Sequence, residues 1–408
     1  MNRATIIIAA LVAGILLGMA VTDHAAWLTQ TADVIGTMWL NCMRMTVVPL
    51  VVTLLITGIL QTASAAGAGR LATRATITMI VILWLVTIMS AVVTPLLLQM
   101  FPMPTGASAS LKLALGALSE PAVPPTFLEI LNKIVPTNVI AAAASNDAIL
   151  PLIIFTIAFA FAAAALPSEK RDIIGGFFEA IAQAMIILIG WVLKIAPLGV
   201  FALGITLGKT AGVAAFGALL HYVLIVASIG FIVMLSAYPL ALIGGRVGLS
   251  AFTRAAIPAQ AVAISTQSSL ASLPTMLTSV RQLGVGSRTA DVTLPLAVAI
   301  FRGTSPAMNL AVSLYVANWL GIHLGPVQIA TGVAVAAITT LGSISLPGTI
   351  TFISSVAPIN LAMGLPIEPL AVLLAIETFP DIMRTLGNVT MDVAVTATVA
   401  RAEGDITA

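Results

Sequence analysis

The chain has 408 residues, of which 60% are hydrophobic and 8% are charged, and its mean hydropathy is +1.13. Because soluble domains carry about 25% charged residues, this composition excludes a soluble globular protein and indicates a polytopic membrane protein. The net charge of +2 gives no reason to expect a nucleic-acid partner, and a single cysteine (Cys42) with three scattered histidines excludes an intramolecular disulfide, a cysteine-built metal site and a metalloenzyme motif.

The first 243 residues are predicted to form conventional membrane-spanning helices. The N-terminal run has no clear cleavage site, so it is interpreted as a spanning helix rather than a signal peptide. Arg70 and Arg74 place the loop after the second span in the cytoplasm, and both termini are expected on that side of the inner (plasma) membrane. The proline-rich segment 101–137 is then an ordered external loop. The predicted spans are 4–21, 39–60, 77–100, a broken region at 138–166, 173–195 and 214–243.

Two later segments are too interrupted to be ordinary spans. Residues 250–283 and 326–365 each contain two short apolar halves around a polar tip, and the triplet Ser-Leu-Pro occurs in both. Because non-helical backbone at membrane depth survives only when buried in protein or lining a cavity, we predict two re-entrant helical hairpins. The alternative is two ordinary helices with a serine kink. Spans are predicted after the hairpins at 292–320 and 370–399, and such matched interruptions are typical of a transporter built on inverted repeats.

The stretch 377–392 contains six polar residues at helical spacing. On an α-helix they fall within a stripe about 100° wide. Charged side chains at membrane depth face a protein interior or a water-filled cavity, which indicates a functional site; the alternative is an ion-pair network that only holds helices together. The stripe offers an acceptor for an ammonium group, a guanidinium for a carboxylate and a neighbouring amide. Its members are Glu377, Asp381, Arg384, Thr385, Asn388 and Asp392.

With these features the chain resembles, over essentially its whole length, the dicarboxylate/amino acid:cation symporter family, the glutamate transporter homologues. The most specific parts are the serine-rich first hairpin and the run DIMRTLGNVTMD at 381–392; VVP at 47–49, IVPTN at 134–138 and APLGVF at 196–201 are less specific. The resemblance implies an all-α polytopic membrane protein with eight transmembrane helices, two re-entrant helical hairpins and inverted repeats. It also implies a homotrimer that works by an elevator mechanism.

The resemblance also implies a division into two domains. A static scaffold would contain spans one and two (1–75) and, after the extracellular loop, spans four and five (101–210). A mobile transport domain would contain span three (76–100) and residues 211–408, which include span six, both hairpins, and spans seven and eight.

Substrate-binding roles follow from the same resemblance, residue by residue. Asp381 matches the carboxylate that receives the amino group of the substrate, and Arg384 matches the arginine that binds the side-chain carboxylate of aspartate or glutamate. A planar guanidinium binds a carboxylate bidentately, which agrees with this role. The other implied contacts are Thr385, Asn388, Thr304 and, at the tip of the first hairpin, Ser268 and Ser269. The tip of the second hairpin is the expected gate, with Gly342, Ser343, Ser345, Pro347 and Gly348.

Span seven departs from the family pattern. Where the family reads Asn-Met-Asp-Gly-Thr, residues 300–304 read Ile-Phe-Arg-Gly-Thr, so two oxygen ligands of sodium are lost and Arg302 is added. Asp392, which matches a sodium ligand in span eight, is kept. We expect no metal site, and we expect Arg302 to act as a tethered cation beside Asp392 and make transport sodium-independent. The alternatives are that Arg302 turns toward lipid or solvent, or that it binds substrate.

The predicted function is secondary active or facilitative transport of aspartate or glutamate, with the substrate, the lipid bilayer and two further subunits as partners and no cofactor. Uniport, exchange and proton coupling through Glu377, Asp381 or Asp392 stay open. A sodium- or proton-coupled C4-dicarboxylate symporter is the alternative, although its substrate has no amine for Asp381. No enzyme activity is predicted, because no nucleophile–base pair stands out, and a sensor is disfavoured because no soluble domain is appended.

Overall fold

The protein is represented by a computed structural model that describes residues 3–21, 25–67, 69–103, 135–145, 149–341 and 348–406. Within these ranges the regular structure is helical, as predicted, and an isolated antiparallel bridge joins Val285 to Ile406. Four helical stretches there are long and apolar enough to cross a membrane: Trp27–Gly67, Arg70–Met100, Ser168–Lys194 and Ala214–Gly244.

The α-helices in chain order are α1 (Arg3–Ala20), α2 (Ala26–Arg44), α3 (Val47–Gly67), α4 (Arg70–Met100), α5 (Val139–Ala144), α6 (Ile149–Ala164), α7 (Ser168–Lys194), α8 (Ala196–Ala211), α9 (Ala214–Pro239), α10 (Leu249–Thr266), α11 (Ser269–Gln282), α12 (Ser287–Leu296), α13 (Ser305–Leu320), α14 (Pro326–Leu341), α15 (Gly348–Ala362), α16 (Pro369–Leu374) and α17 (Thr378–Glu403). Two π-helical segments, π1 (Leu240–Gly244) and π2 (Ala297–Phe301), extend α9 and α12. Helix α17 lies at the centre of the functional site.

The predicted second span, 39–60, straddles a boundary between two helices. Helix α2 ends at Arg44, and α3 begins at Val47 with Pro49 in its first turn. Proline has no backbone N–H and its fixed φ suits the first turn of a helix, so a helix restarts here rather than continuing. The predicted boundaries were therefore wrong. The broken region 138–166 does contain two helices, α5 and α6, whereas Asn146 and Asp147 lie outside the described residues.

Helix α8 was not predicted as a separate element, and it packs against α1 at very short range. A Cβ on Gly18 would lie 2.1 Å from the carbonyl oxygen of Ile205, and one on Gly208 would lie 2.1 Å from that of Ile15. Glycines let two backbones approach this closely in a membrane bundle, where association depends on packing. The α1–α8 pair therefore depends on glycine at these positions.

Helix pairs occur at both positions where hairpins are predicted. In the first, α10 and α11 pack against each other and are joined by Gln267 and Ser268, with Gln267 in the left-handed conformation (φ 51°). In the second, α14 packs against α15. Four of the predicted gate residues, Gly342, Ser343, Ser345 and Pro347, lie outside the described residues, and Gly348 is the first residue of α15.

Neither of the last two predicted spans is a continuous helix. Span seven consists of α12, π2 and α13, and its helix is interrupted at residues 302–304, where Arg302 has φ 40° and ψ 57°. Span eight consists of α16 and α17, which are separated by a turn at 375–377. Helix α17 packs against α4, α9, both helices of the first hairpin, α12 and α13, so its polar face points into the bundle.

Candidate functional site

The polar stripe, which begins at Glu377 directly before α17 and continues along α17 to Asp392, is buried in protein, as the sequence predicts. All six side chains from Glu377 to Asp392 belong to residues that are at most 6% exposed, although three are carboxylates and one is a guanidinium. Burying a charge is costly unless it is paired and hydrogen-bonded. The contacts of these six residues therefore decide what the stripe can do.

Arg384 lies at the centre of the site and contacts both neighbouring carboxylates. Its Nη2 donates to Oε1 of Glu377 at 2.5 Å, and its Nε lies 3.2 Å from Oδ1 of Asp381. Its Nη1 donates to the side-chain oxygen of Asn309, on α13, at 2.7 Å. These contacts fix the plane of the guanidinium, and two carboxylates of the protein already lie against it.

Sequence reasoning missed two residues of this cluster. Tyr222, on α9, is fully buried and its hydroxyl donates to Oε2 of Glu377 at 2.8 Å. The sequence contains a weak indication that Asn309 belongs to the site, because it is an amide in an apolar run seven residues after Arg302. Tyr222 had none, since a tyrosine near the middle of a span is unremarkable in composition.

Residues of α17 accept hydrogen bonds from the backbone and side chain at the interruption in span seven. The backbone N–H of Thr304 donates to Oδ1 of Asn388 at 2.8 Å, and the Thr304 hydroxyl donates to the carbonyl oxygen of Arg384 at 2.6 Å. Backbone groups that leave a helix inside a bundle need such partners. Thr304 and Asn388 are both predicted site residues, and in the structure they are hydrogen-bonded to each other.

A small cavity of about 10 Å³, partly open to solvent, adjoins Arg384. Two guanidinium groups line it, with hydroxyl and amide side chains between them, so its chemistry suits an anion with carboxylate groups. The lining residues are Arg302, Ser305, Asn309, Thr351, Phe352, Ser355 and Arg384. The sequence did not single out Ser305, Thr351, Phe352 or Ser355.

Arg302 is partly buried at the interruption of span seven and lies within electrostatic range of Asp381, Asp392 and Arg384. The carboxylate of Asp392 is buried, and its Oδ1 accepts no hydrogen bond from the residues that the structure describes. An uncompensated buried carboxylate is costly, so a nearby positive charge stabilises it. The structure therefore brings Arg302 close enough to Asp392 for the guanidinium to act on that carboxylate electrostatically.

The remaining predicted site residues have local roles. Ser268 caps α11, because its hydroxyl oxygen accepts a hydrogen bond from the backbone N–H of Ala271 at 3.2 Å. Thr385 bonds back to the carbonyl oxygen of Asp381 at 3.0 Å. Within the described part of the chain no hydrogen bond joins Ser268 or Ser269 to the Arg384 cluster, although α11 packs against α17.

Comparison with known proteins places this arrangement in a family. The model of the sodium:dicarboxylate symporter family matches residues 4–402. Similar proteins include a proton/sodium-glutamate symport protein of Bacillus subtilis (26% identical, covering 98% of this chain and 92% of that protein) and a proton/glutamate-aspartate symporter of Escherichia coli (26%, 97% and 92%). A C4-dicarboxylate transport protein of Rhodopseudomonas palustris is 28% identical over 98% of this chain and 88% of its own length. These proteins are transporters, not enzymes, and the predicted resemblance is confirmed: the chain belongs to the sodium:dicarboxylate symporter family.

Proposed function

We propose that this protein carries aspartate or glutamate across the inner membrane without sodium. The observation that carries the proposal is the contact between Arg384 and Asp381 on one buried helix face beside a cavity, with Nε and Oδ1 3.2 Å apart. A guanidinium receives the side-chain carboxylate of an acidic amino acid, and a carboxylate one helical turn away receives its ammonium group. The names of the Bacillus and Escherichia relatives support the same substrates.

Sodium independence rests on the chemistry around Arg302. A hard cation needs several oxygen ligands, and the isoleucine and arginine side chains at positions 300 and 302 supply none. The buried carboxylate of Asp392 instead lies within electrostatic range of the Arg302 guanidinium. In our proposal this fixed positive charge replaces a bound cation.

The remaining parts of the proposal follow the family. The chain would form a homotrimer whose transport domain moves as an elevator, with the tip of the second hairpin as the gate and both termini in the cytoplasm. The packing supports such a division, because α1 and α2 contact α8, whereas α4, α9 and the first hairpin contact α17. The scaffold would contain the first group and the transport domain the second.

A C4-dicarboxylate carrier is the second candidate, and one observation favours it. Arg302 and Arg384 line the same cavity, so two guanidinium groups are available for the two carboxylates of a substrate such as succinate. The Rhodopseudomonas relative is named for such substrates. On this alternative Arg302 binds substrate directly.

Uptake of labelled aspartate and succinate into proteoliposomes separates these candidates. We expect aspartate uptake to compete with glutamate and to be equal in choline and sodium buffers. Binding titrations in the same two buffers supply the affinity. A tenfold or greater gain of aspartate affinity in sodium, about 1.4 kcal/mol of coupling, would refute sodium independence. Transport of succinate but not aspartate would replace the first candidate by the second.

The variant Arg302→Gln tests the role of the added charge. If Arg302 substitutes for a cation, the variant should lose aspartate affinity and should not regain it in sodium, since the oxygen ligands are still absent. The exposed Arg254→Gln, on α10, is the control for the loss of one arginine charge away from the cavity. Sodium-stimulated binding in Arg302→Gln alone would show that a cation site is intact beneath the guanidinium.

A further inference from the structure

Glu377 is a fully buried carboxylate that shares its two oxygens between different partners. Its Oε1 accepts from Nη2 of Arg384 at 2.5 Å, and its Oε2 accepts from the hydroxyl of Tyr222 at 2.8 Å. The charged or titratable groups that face it are Tyr222 on α9 and Arg384 and Asp381 on α17. Tyr315, on α13, stacks edge-on against Tyr222 with ring centroids 5.2 Å apart. Arg384, Asp381 and Tyr222 therefore act on Glu377 directly, whereas Tyr315 contacts its hydrogen-bond partner Tyr222.

Glu377 and the carboxylate of the proposed substrate compete for the guanidinium of Arg384. A carboxylate binds a guanidinium bidentately through two neighbouring N–H groups. The terminal nitrogens of Arg384, Nη1 and Nη2, already donate to Asn309 and Glu377, while Nε faces Asp381. Because either bidentate edge of the guanidinium includes Nη2, a substrate carboxylate that enters from the adjoining cavity competes there with Glu377.

The charge balance of the site changes when that happens. Two arginines, 302 and 384, and three carboxylates, 377, 381 and 392, give the described cluster a net charge of −1. An acidic amino acid brings a further −1, and a C4-dicarboxylate brings −2. Without sodium, the site with substrate bound would therefore carry a net charge of −2 or −3 inside the protein. A buried carboxylate that has lost its cation neutralises by taking up a proton.

We propose that Glu377 is the binding site of a co-transported proton, loaded when the substrate displaces it from Arg384. The substrate carboxylate takes the N–H groups of Arg384, and Glu377 takes one proton from the aqueous phase on the side of entry. Tyr222 continues to donate to Oε2, so the proton resides on Oε1. When substrate leaves on the other side, Glu377 releases the proton and returns to Arg384. This inference rests on the proposed function, because it needs a carboxylate substrate at Arg384.

Proton counting on the purified protein tests the inference directly. Glutamate is titrated calorimetrically in two buffers of different ionisation enthalpy, which gives the number of protons taken up per molecule bound. We expect uptake approaching one proton in wild type, and an affinity that strengthens by up to tenfold per unit fall in pH. Glu377→Gln, which mimics the protonated form, should bind glutamate without proton uptake and independently of pH. The exposed Glu179→Gln on α7 is the matched control and should behave as wild type.

Tyr222→Phe provides a second variant should Glu377→Gln fail to fold. It removes a donor that favours the charged carboxylate, so the pH dependence of binding should move to higher pH. Glutamate binding without proton uptake in wild type would overturn the inference and leave the proposed function standing. Proton uptake that persists in Glu377→Gln, or an unmoved pH dependence in Tyr222→Phe, would also overturn it. If wild type binds neither glutamate nor succinate, the proposed function fails and the inference fails with it.

Discussion

A single methyl group at Gly387 should disturb the geometry that connects span seven to the polar face of α17. A Cβ built there lies 2.2 Å from Cγ2 of Thr304, whereas carbon atoms in ordinary contact are about 3.5–4.0 Å apart. Thr304 cannot turn away freely, because its N–H and hydroxyl are bonded to Asn388 and to the carbonyl of Arg384. Gly387→Ala must therefore move Thr304 or the backbone of α17.

The magnitude follows from comparison with a matched glycine. A Cβ on Gly176, inside α7, would meet no heavy atom within 4 Å, so Gly176→Ala gives the helix-propensity gain of about 1 kcal/mol without a clash. Overpacking a close contact costs about 1–3 kcal/mol, so the two variants should differ by about that amount. The thermal unfolding midpoint in detergent and the affinity for aspartate measure the difference. If Gly387→Ala and Gly176→Ala have the same unfolding midpoint and the same affinity for aspartate, the contact between Thr304 and α17 is not rigid and this reasoning is refuted.

Three further variants address the site itself. Arg384→Cys leaves Glu377 and Asp381 buried without their cation, which should destabilise the site by about 3–5 kcal/mol and abolish aspartate binding. Near-native affinity in a titration would show that Arg384 does not bind the substrate carboxylate. Asp381→Asn should weaken aspartate binding far more than succinate binding, because only aspartate has an ammonium group, and equal losses would make Asp381 structural. A cysteine at position 345, in the expected gate, should be labelled more slowly by a thiol reagent when aspartate is bound, and an unchanged rate would count against a gate there.

The conformation of Arg302 adds to the case that span seven is interrupted for a functional reason. It is one of three residues other than glycine with positive φ in the described ranges, and Gln267 at the tip of the first hairpin is another. Such conformations cost energy and persist only where the surroundings hold them. Both lie on elements that pack against α17, where the polar cluster is buried.

Much of this protein could be predicted from the sequence, because the relevant physics is local. Twenty or so apolar residues must cross a bilayer as a helix, and polar, proline-bearing interruptions mark where they cannot. The stripe from Glu377 to Asp392 depends only on 3.6 residues per turn, and all six of its residues are buried as predicted. The direction of the charged face could be inferred because lipid cannot solvate it.

The tertiary structure decided the contacts that give the stripe its chemistry. Tyr222 meets Glu377 across 155 residues of sequence, Asn309 meets Arg384 across 75, and Thr304 meets Asn388 across 84. No periodicity encodes such pairs, since they depend on how separate helices pack. The interruption at 302–304 is a property of the folded backbone, and its freed N–H at Thr304 is satisfied by Asn388 from a separate helix. Which oxygen of Glu377 faces Arg384, and which faces Tyr222, is likewise fixed by packing, because a buried carboxylate bonds to whatever donors the surrounding helices present.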